Sequence, residues 1–453
     1  MESFEKFIGD VSSFVWGPPL LILIVGTGLY LTLRLGFLQF RMLPYSLKLA
    51  FTKKQDSKSE GDISHFQALM TALAATVGTG NIVGVATAVI LGGPGAVFWM
   101  WITALVGMAT KYSEAILAVK YRVKDKNGEM SGGPMYYLER GLKQKWLGVL
   151  FAIFGAIAAF GIGNMVQSNS VSGVLKSTFS VPTYVTGIVI TIFTALVILG
   201  GIKSIGRVTA YFVPIMALFY LIAGLIVLIM NASLVPEAIS LIFTDAFTGE
   251  AVAGGALGAV IRWGVARGVF SNEAGLGSAP IAAAAAKSDY PGRQALVSMT
   301  QVFIDTIIIC SITGITVVMG DLYSSGAEGN ALTSMTFEHF LGPIGSYVVA
   351  IGMLLFAYST ILGWSYYGEK CISYLFNESA IKYYRYAFVI AVFIGSVTTL
   401  DIVWGIADVM NGLMAIPNLI GLLGLSGVVV AETKRFLDVV KAEKAQEKNQ
   451  ASS

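Results

Sequence analysis

The chain is 453 residues long, 55% of them hydrophobic and only 13% charged, with a mean hydropathy of +0.73. Soluble domains carry about a quarter of their residues as charges, so this balance excludes one and specifies a polytopic membrane protein. A net charge of +3 argues against nucleic-acid binding, and two cysteines with two histidines form neither a disulfide framework nor a metal or nucleophile–base set.

Glu2, Glu5 and Asp10 replace the basic start of a secretory leader, so the first apolar run, 14–35, is expected to be a true span. A basic loop follows with Arg41, Lys48, Lys53, Lys54 and Lys58. Its part 55–62 is read as mobile. The second span, 64–91, is interrupted by Gly78-Thr79-Gly80-Asn81, poor helix material in an otherwise apolar run. The third, 96–119, carries Lys111 and Glu114, three apart and able to pair on one face. The most basic loop, 120–146, contains a Gly-Gly-Pro turn and is expected to place a short surface helix at 135–142. Spans at 147–175, 183–199 and 209–230 follow, with a short turn at 200–207 and a helix near the interface at 236–249.

The seventh span, 251–286, repeats the interrupted design. Ser271, Asn272, Glu273, Gly275, Gly277 and Pro280 break a run of small apolar residues. Spans at 295–319, 346–367, 384–399 and 402–431 complete eleven. A cap or lid is expected between 320 and 342, and a charged tail that frays into solvent from 432. Arg and Lys concentrate after spans one, three, five, seven and nine and in the tail. The positive-inside rule therefore sets the N-terminus outside and the C-terminus in the cytoplasm.

Lipid tolerates broken backbone only where it faces protein or a cavity, and paired breaks in two halves mark a secondary transporter's binding site. The first span stands apart as peripheral. The divisions are then 1–63, two five-helix inverted repeats at 64–231 and 232–431, and a tail at 432–453. Free N–H groups at one half-helix suit a carboxylate, and free carbonyls at the other suit Na⁺ or an ammonium group. Thr76, Thr79, Gly80 and Asn81 lie at the first break, and Phe270, Ser271, Asn272 and Glu273 at the second. Asn164 and Gln167 share a face of the fourth span. Ser359, Thr360 and Trp364 lie in the ninth. Glu273 and Asp305 are intramembrane charges. Each either pairs structurally, Glu273 with Arg262 or Arg267, or couples transport.

The stretches GTGNIVGVA (78–86), GGPGAVFWMW (92–101), SGGPMYY (131–137) and FSNEAGLGSAPIA (270–282) resemble the sodium:alanine/glycine symporter family, and the resemblance spans essentially the whole chain. It implies sodium-coupled uptake of alanine and glycine and the LeuT-like fold, an all-α arrangement with the first and sixth core helices unwound. It also implies a sodium site from the carbonyls of Ala74, Val77 and Phe356 with the hydroxyls of Ser359 and Thr360. A second sodium would fall near Thr76 and Asn81. Membrane lipid is the expected surrounding, with no nucleic acid and no obligate protein partner. The alternative is a proton-coupled carrier of the same fold using Glu273 or Asp305. A channel would need a continuous pore, and an enzyme a catalytic set that this sequence lacks.

Overall fold

The computed structural model describes residues 2–52, 59–247, 256–398 and 401–451. Lys53, Lys54 and Lys58, and the start of the second broken span, lie outside them. Helices build the molecule. Among the described residues the only strands are β1 (Val123–Lys124) and β2 (Met130–Ser131), an antiparallel hairpin in the basic loop.

The first apolar run divides at Trp16-Gly17 into α1 (Glu2–Val15) and α2 (Pro18–Arg34). α3 (Leu38–Phe51) occupies what reads as loop, continuing through Pro44. α4 (His65–Thr76) and α5 (Val85–Gly92) are the halves of the first broken helix, and their axes bend by 54°. α6 (Ala96–Lys120) matches its expected span. α7 (Pro134–Arg140) is the short helix of the basic loop, but it is not a surface helix. Met135, Tyr137 and Leu138 are fully buried, because α7 packs against the next helix.

α8 (Lys145–Phe160) and α9 (Val166–Phe179) form one span through a π turn at Gly161–Met165. α10 (Thr183–Ile198) is followed by α11 (Gly201–Met230), which is already helical across the expected turn. α12 (Val235–Asp245) precedes the second broken helix, α13 (Ala256–Asn272) and α14 (Pro280–Ala284). α15 (Pro291–Val302) and α16 (Ser311–Gly320) are joined by a π segment, Phe303–Cys310. The lid region holds α17 (Gly329–Leu341), whose Thr333 hydroxyl donates to the Ile82 carbonyl at 3.1 Å. α18 (Pro343–Phe376), α19 (Ala380–Val397) and α20 (Asp401–Gly424) complete the bundle.

Through Glu443 the tail is docked rather than frayed. It is α21 (Ser426–Ala451), with Val429, Thr433, Phe436 and Val440 buried at helical spacing and Arg293 paired to Glu443 at 2.6 Å. An amphipathic stripe outweighs the charge of the segment.

Eight described helices are long and apolar enough to cross a bilayer, and the α4–α5 pair makes a ninth. Ile188, Ile192, Leu196, Ile215, Ile222 and Ile229 on α10 and α11 are exposed, as a face toward lipid requires. At one end of the bundle the segment before α4 joins the segment after α14. Ile63 pairs with Ala286 in parallel, Asp62 N donates to Ala285 O at 2.8 Å and Lys287 N to Ile63 O at 2.8 Å. The Arg122 guanidinium closes the same seam on the carbonyls of Ala284 (3.0 Å), Ala286 (2.6 Å) and Glu60 (2.8 Å).

Candidate functional site

The first break is set up by a strong start and a deliberate stop. Ser64 caps α4 by accepting from Gln67 N, and the Gln67 side chain accepts from Ser64 N, a reciprocal box. At Val77 the backbone leaves the helix (φ −76°, ψ 90°), which turns its carbonyl away from the helical ladder. Asn81 Oδ1 takes the Gly78 N–H at 2.9 Å, and a π turn at Gly80–Gly84 restarts the helix. Glycine is required here by proximity. A β-carbon on Gly78 would lie 2.4 Å from Thr360 Oγ1, and one on Gly80 would lie 3.3 Å from Ser271 Cα.

Around Ser359 five oxygens converge. Its hydroxyl is 3.1 Å from Ala74 O, 3.3 Å from Val77 O and 2.8 Å from Phe356 O, and Thr360 Oγ1 lies 3.1 Å from Phe356 O. All five residues are buried. This is a neutral, oxygen-only cluster, the kind of site that suits a hard monovalent cation.

The second break ends α13 at Asn272. Glu273 adopts a left-handed conformation (φ 57°), followed by Gly275 (φ 92°) and Gly277 (φ 86°), and Pro280 in the first turn restarts α14. Asn272 Oδ1 accepts from Ala274 N at 2.9 Å. The Glu273 carboxylate is not paired to Arg262 or Arg267. It accepts from the Trp364 indole at 2.9 Å and the Ser278 hydroxyl at 2.5 Å. Both arginines lie over Trp263, and Arg267 also lies over Phe270.

Asp305 joins the two breaks. It accepts from Asn81 Nδ2 (2.7 Å), Ser271 Oγ (2.8 Å) and Thr306 Oγ1 (2.8 Å), and Asn272 Nδ2 donates to Thr306 at 3.1 Å. Among the described residues no Lys or Arg nitrogen lies within 4.0 Å of its carboxylate. Asn81, Asn164 and Asp305 each sit in one of the three π segments, a form of helix that recurs at functional sites.

Gln167 reaches the first break, donating to Thr79 Oγ1 at 3.3 Å, while its Oε1 is buried with no hydrogen-bond partner. Asn164 donates to Phe388 O at 2.8 Å and likewise keeps a partnerless Oδ1. Thr76 is not drawn in. Its hydroxyl turns back to Ala72 O at 3.1 Å. The Asn81 N–H is used on Gly78 O at 3.2 Å. A cavity of about 650 Å³ is lined by Thr79 together with Asn169, Glu328, Met353 and Trp404.

The sequence reading missed Lys111, Glu114 and Asn418 as members of this centre. Lys111 Nζ donates to Glu273 O at 2.9 Å, and Glu114 Oε1 accepts from Gly275 N (3.1 Å) and Asn418 Nδ2 (2.7 Å). Two charges inside an apolar span were the available signal.

Two broken helices facing each other in a packed all-α bundle define a LeuT-like fold. The solved structure of MhsT in complex with L-phenylalanine has the same fold, with a TM-score of 0.60, 17% identity, and coverage of 83% of this chain and 93% of that one. The chain belongs to the sodium:alanine symporter family, which it matches over residues 1–450, and it is therefore a transporter and a multi-pass membrane protein rather than an enzyme. It is 60% identical to the sodium/alanine symporter AgcS of Methanococcus maripaludis, over 97% of this chain and 99% of that protein. It is 39% identical to the probable sodium/glutamine symporter GlnT of Bacillus subtilis, over 97% of this chain and 92% of that one.

Proposed function

We propose that the protein takes up small neutral amino acids, alanine first and glycine with it, driven by the sodium gradient across the plasma membrane. The observation that carries this reading is the cluster of five oxygens around Ser359, which joins the first broken helix to α18. Na⁺ is held there by the carbonyls of Ala74, Val77 and Phe356 and the hydroxyls of Ser359 and Thr360. A second sodium lies near Asn81, with Asp305 and Ser271 as the nearby oxygens, while Thr76, whose hydroxyl turns back to its own helix, is left out of it. The family membership and the AgcS relative support alanine and sodium together.

The substrate lies between the breaks. Its carboxylate meets the N–H groups of Thr79 and Gly80 beside Asn81. Its ammonium faces the end of α13, Phe270 to Asn272, with Gln167 Oε1 and Asn164 as side-chain acceptors. Glu273 and Trp364 close the far side. A methyl group gains about 0.8 kcal/mol by burial, whereas a large side chain must displace Phe270 and Phe356 at a typical cost of about 1–3 kcal/mol. The repeats 64–231 and 232–431 rock about this centre, with segment 1–63 peripheral and the C-terminus cytoplasmic.

Uptake of labelled alanine into proteoliposomes, with and without an inward sodium gradient at constant pH, tests the reading. Sodium-dependent accumulation is expected, with competition by glycine and serine and weak competition by alaninamide and phenylalanine. Accumulation driven by a proton gradient alone, or equal competition by phenylalanine, would reject it.

A further inference from the structure

The Lys111–Glu114 pair is buried on α6, its charges 3.8 Å apart, with the two side chains 1% and 0% exposed. Desolvation makes such a pair a poor source of stability unless other bonds satisfy both charges. Here each charge is bonded to the second break, while Glu114 Oε2 has no hydrogen-bond partner and faces Lys111 alone at 3.8 Å. The ammonium of Lys111 bonds the Glu273 carbonyl, at the negative end of α13. The Glu114 carboxylate takes the Gly275 N–H, and Asn418 bridges from that carboxylate to Gly275 O at 2.8 Å. Tyr137 donates in turn to Asn418. Helix α6 packs closely enough that a β-carbon on Gly107 would come within 2.9 Å of Ala274.

Between these anchors Glu273 is held left-handed, a conformation that side chains resist. Its carboxylate then meets the Trp364 indole on α18, one turn beyond Thr360. The pair thus fixes a residue that touches both halves of the centre. On one side is the end of α13 that faces the substrate, and on the other is the helix carrying Ser359 and Thr360. Lys111 also occupies the Glu273 carbonyl, which withdraws it from the substrate ammonium and leaves the buried Gln167 Oε1 as an acceptor.

We infer that Lys111 and Glu114 are positioning residues for transport: they hold the second break in its binding shape and set the register between the substrate and sodium positions. The inference rests on the function proposed above. Purified full-length variants in proteoliposomes test it, with alanine half-saturation, sodium half-saturation and maximal rate per folded transporter measured together. Lys111→Met is expected to raise alanine half-saturation on the order of 10–100-fold, as loss of a supporting shell does elsewhere. Sodium half-saturation should rise with it, because coupling between sites is reciprocal. A structural role alone would lower the folded fraction and leave both values unmoved.

Lys111→Met/Glu114→Gln removes the unpaired buried charge. It should restore folding while leaving the affinities impaired, and it decides the matter if Lys111→Met does not fold. Unshifted half-saturation in Lys111→Met, or wild-type affinity in the double variant, would overturn the inference. The unaltered protein, measured in parallel, separates the two claims. Failure of its own sodium-dependent uptake defeats the proposed function, whereas normal uptake with unshifted variants defeats only the positioning role.

Discussion

Ser359 is the residue on which the sodium proposal turns. Its hydroxyl lies within 3.3 Å of three carbonyls, whereas Thr360 Oγ1 is bonded to the Phe356 carbonyl alone. Ser359→Ala should therefore raise the sodium needed for half-maximal uptake about tenfold, equivalent to roughly 1.4 kcal/mol, and more than Thr360→Ala does. Unchanged sodium curves in both variants would place the ion elsewhere. Ser359 and Thr360 stood out in the sequence as adjacent hydroxyls inside an apolar span, and their role toward sodium, with 356 on the same helix face, is what the family resemblance implies. The pairing of Lys111 with Glu114 was legible from their spacing, but the bond from Lys111 to the Glu273 carbonyl was not. The contact joins residues 162 positions apart, and only the folded crossing of α6 and the second break reveals it. The Arg–Glu pair, one of the two readings left open for Glu273, failed for a related reason. Nearness along α13 suggested it, but the aromatic faces of Trp263 and Phe270 compete for the same guanidinium groups.

Among elements, the two breaks were plain from glycine, proline and polar residues inside apolar runs. The π segments were not, since a wider turn has no compositional mark and arises where a side chain or backbone group must be shifted by one place. The tail helix was legible in principle. Val429, Phe436 and Val440 repeat at helical spacing, but the charges between them suggested a solvated strand of chain. In the structure Phe436 is 1% exposed, lies beneath Arg293, and would meet any β-carbon on Gly292 at 2.5 Å. Phe436→Ala should therefore destabilise the tail's docking by about 3 kcal/mol. The check is release of α21 to limited proteolysis at a temperature where the unaltered protein resists it, with α1 to α20 remaining intact.

For the whole molecule, the sorting of Arg and Lys sets a testable orientation. A tag at the C-terminus should be labelled only after the inner face is opened, and labelling from outside intact cells would reverse the arrangement. The count of eleven spans reaches beyond the nine long apolar units by including α10, sixteen residues long, and the second broken helix. The second broken helix is interrupted where its small residues pack against protein, whereas α10 turns Ile188, Ile192 and Leu196 outward and is simply a short apolar helix.

The seam between 60–63 and 284–287 is made from main-chain groups and one guanidinium on carbonyls rather than from exposed ion pairs. Such bonds are replaced by water when the segments part, at a net cost of about 1 kcal/mol each, and dissolved salt screens them little. Main-chain groups are also common to every residue type, so a substitution at 285 alters the seam only through bulk, whereas at Gly61 (φ 151°) a side chain strains the backbone and meets Lys287 Cα at 2.4 Å. A seam built this way depends only weakly on the ionic strength of the surrounding water, through the charge of Arg122 beside Glu60 and Asp62. A change in the salt around the protein, a sodium gradient included, therefore leaves this seam nearly unloosened by screening.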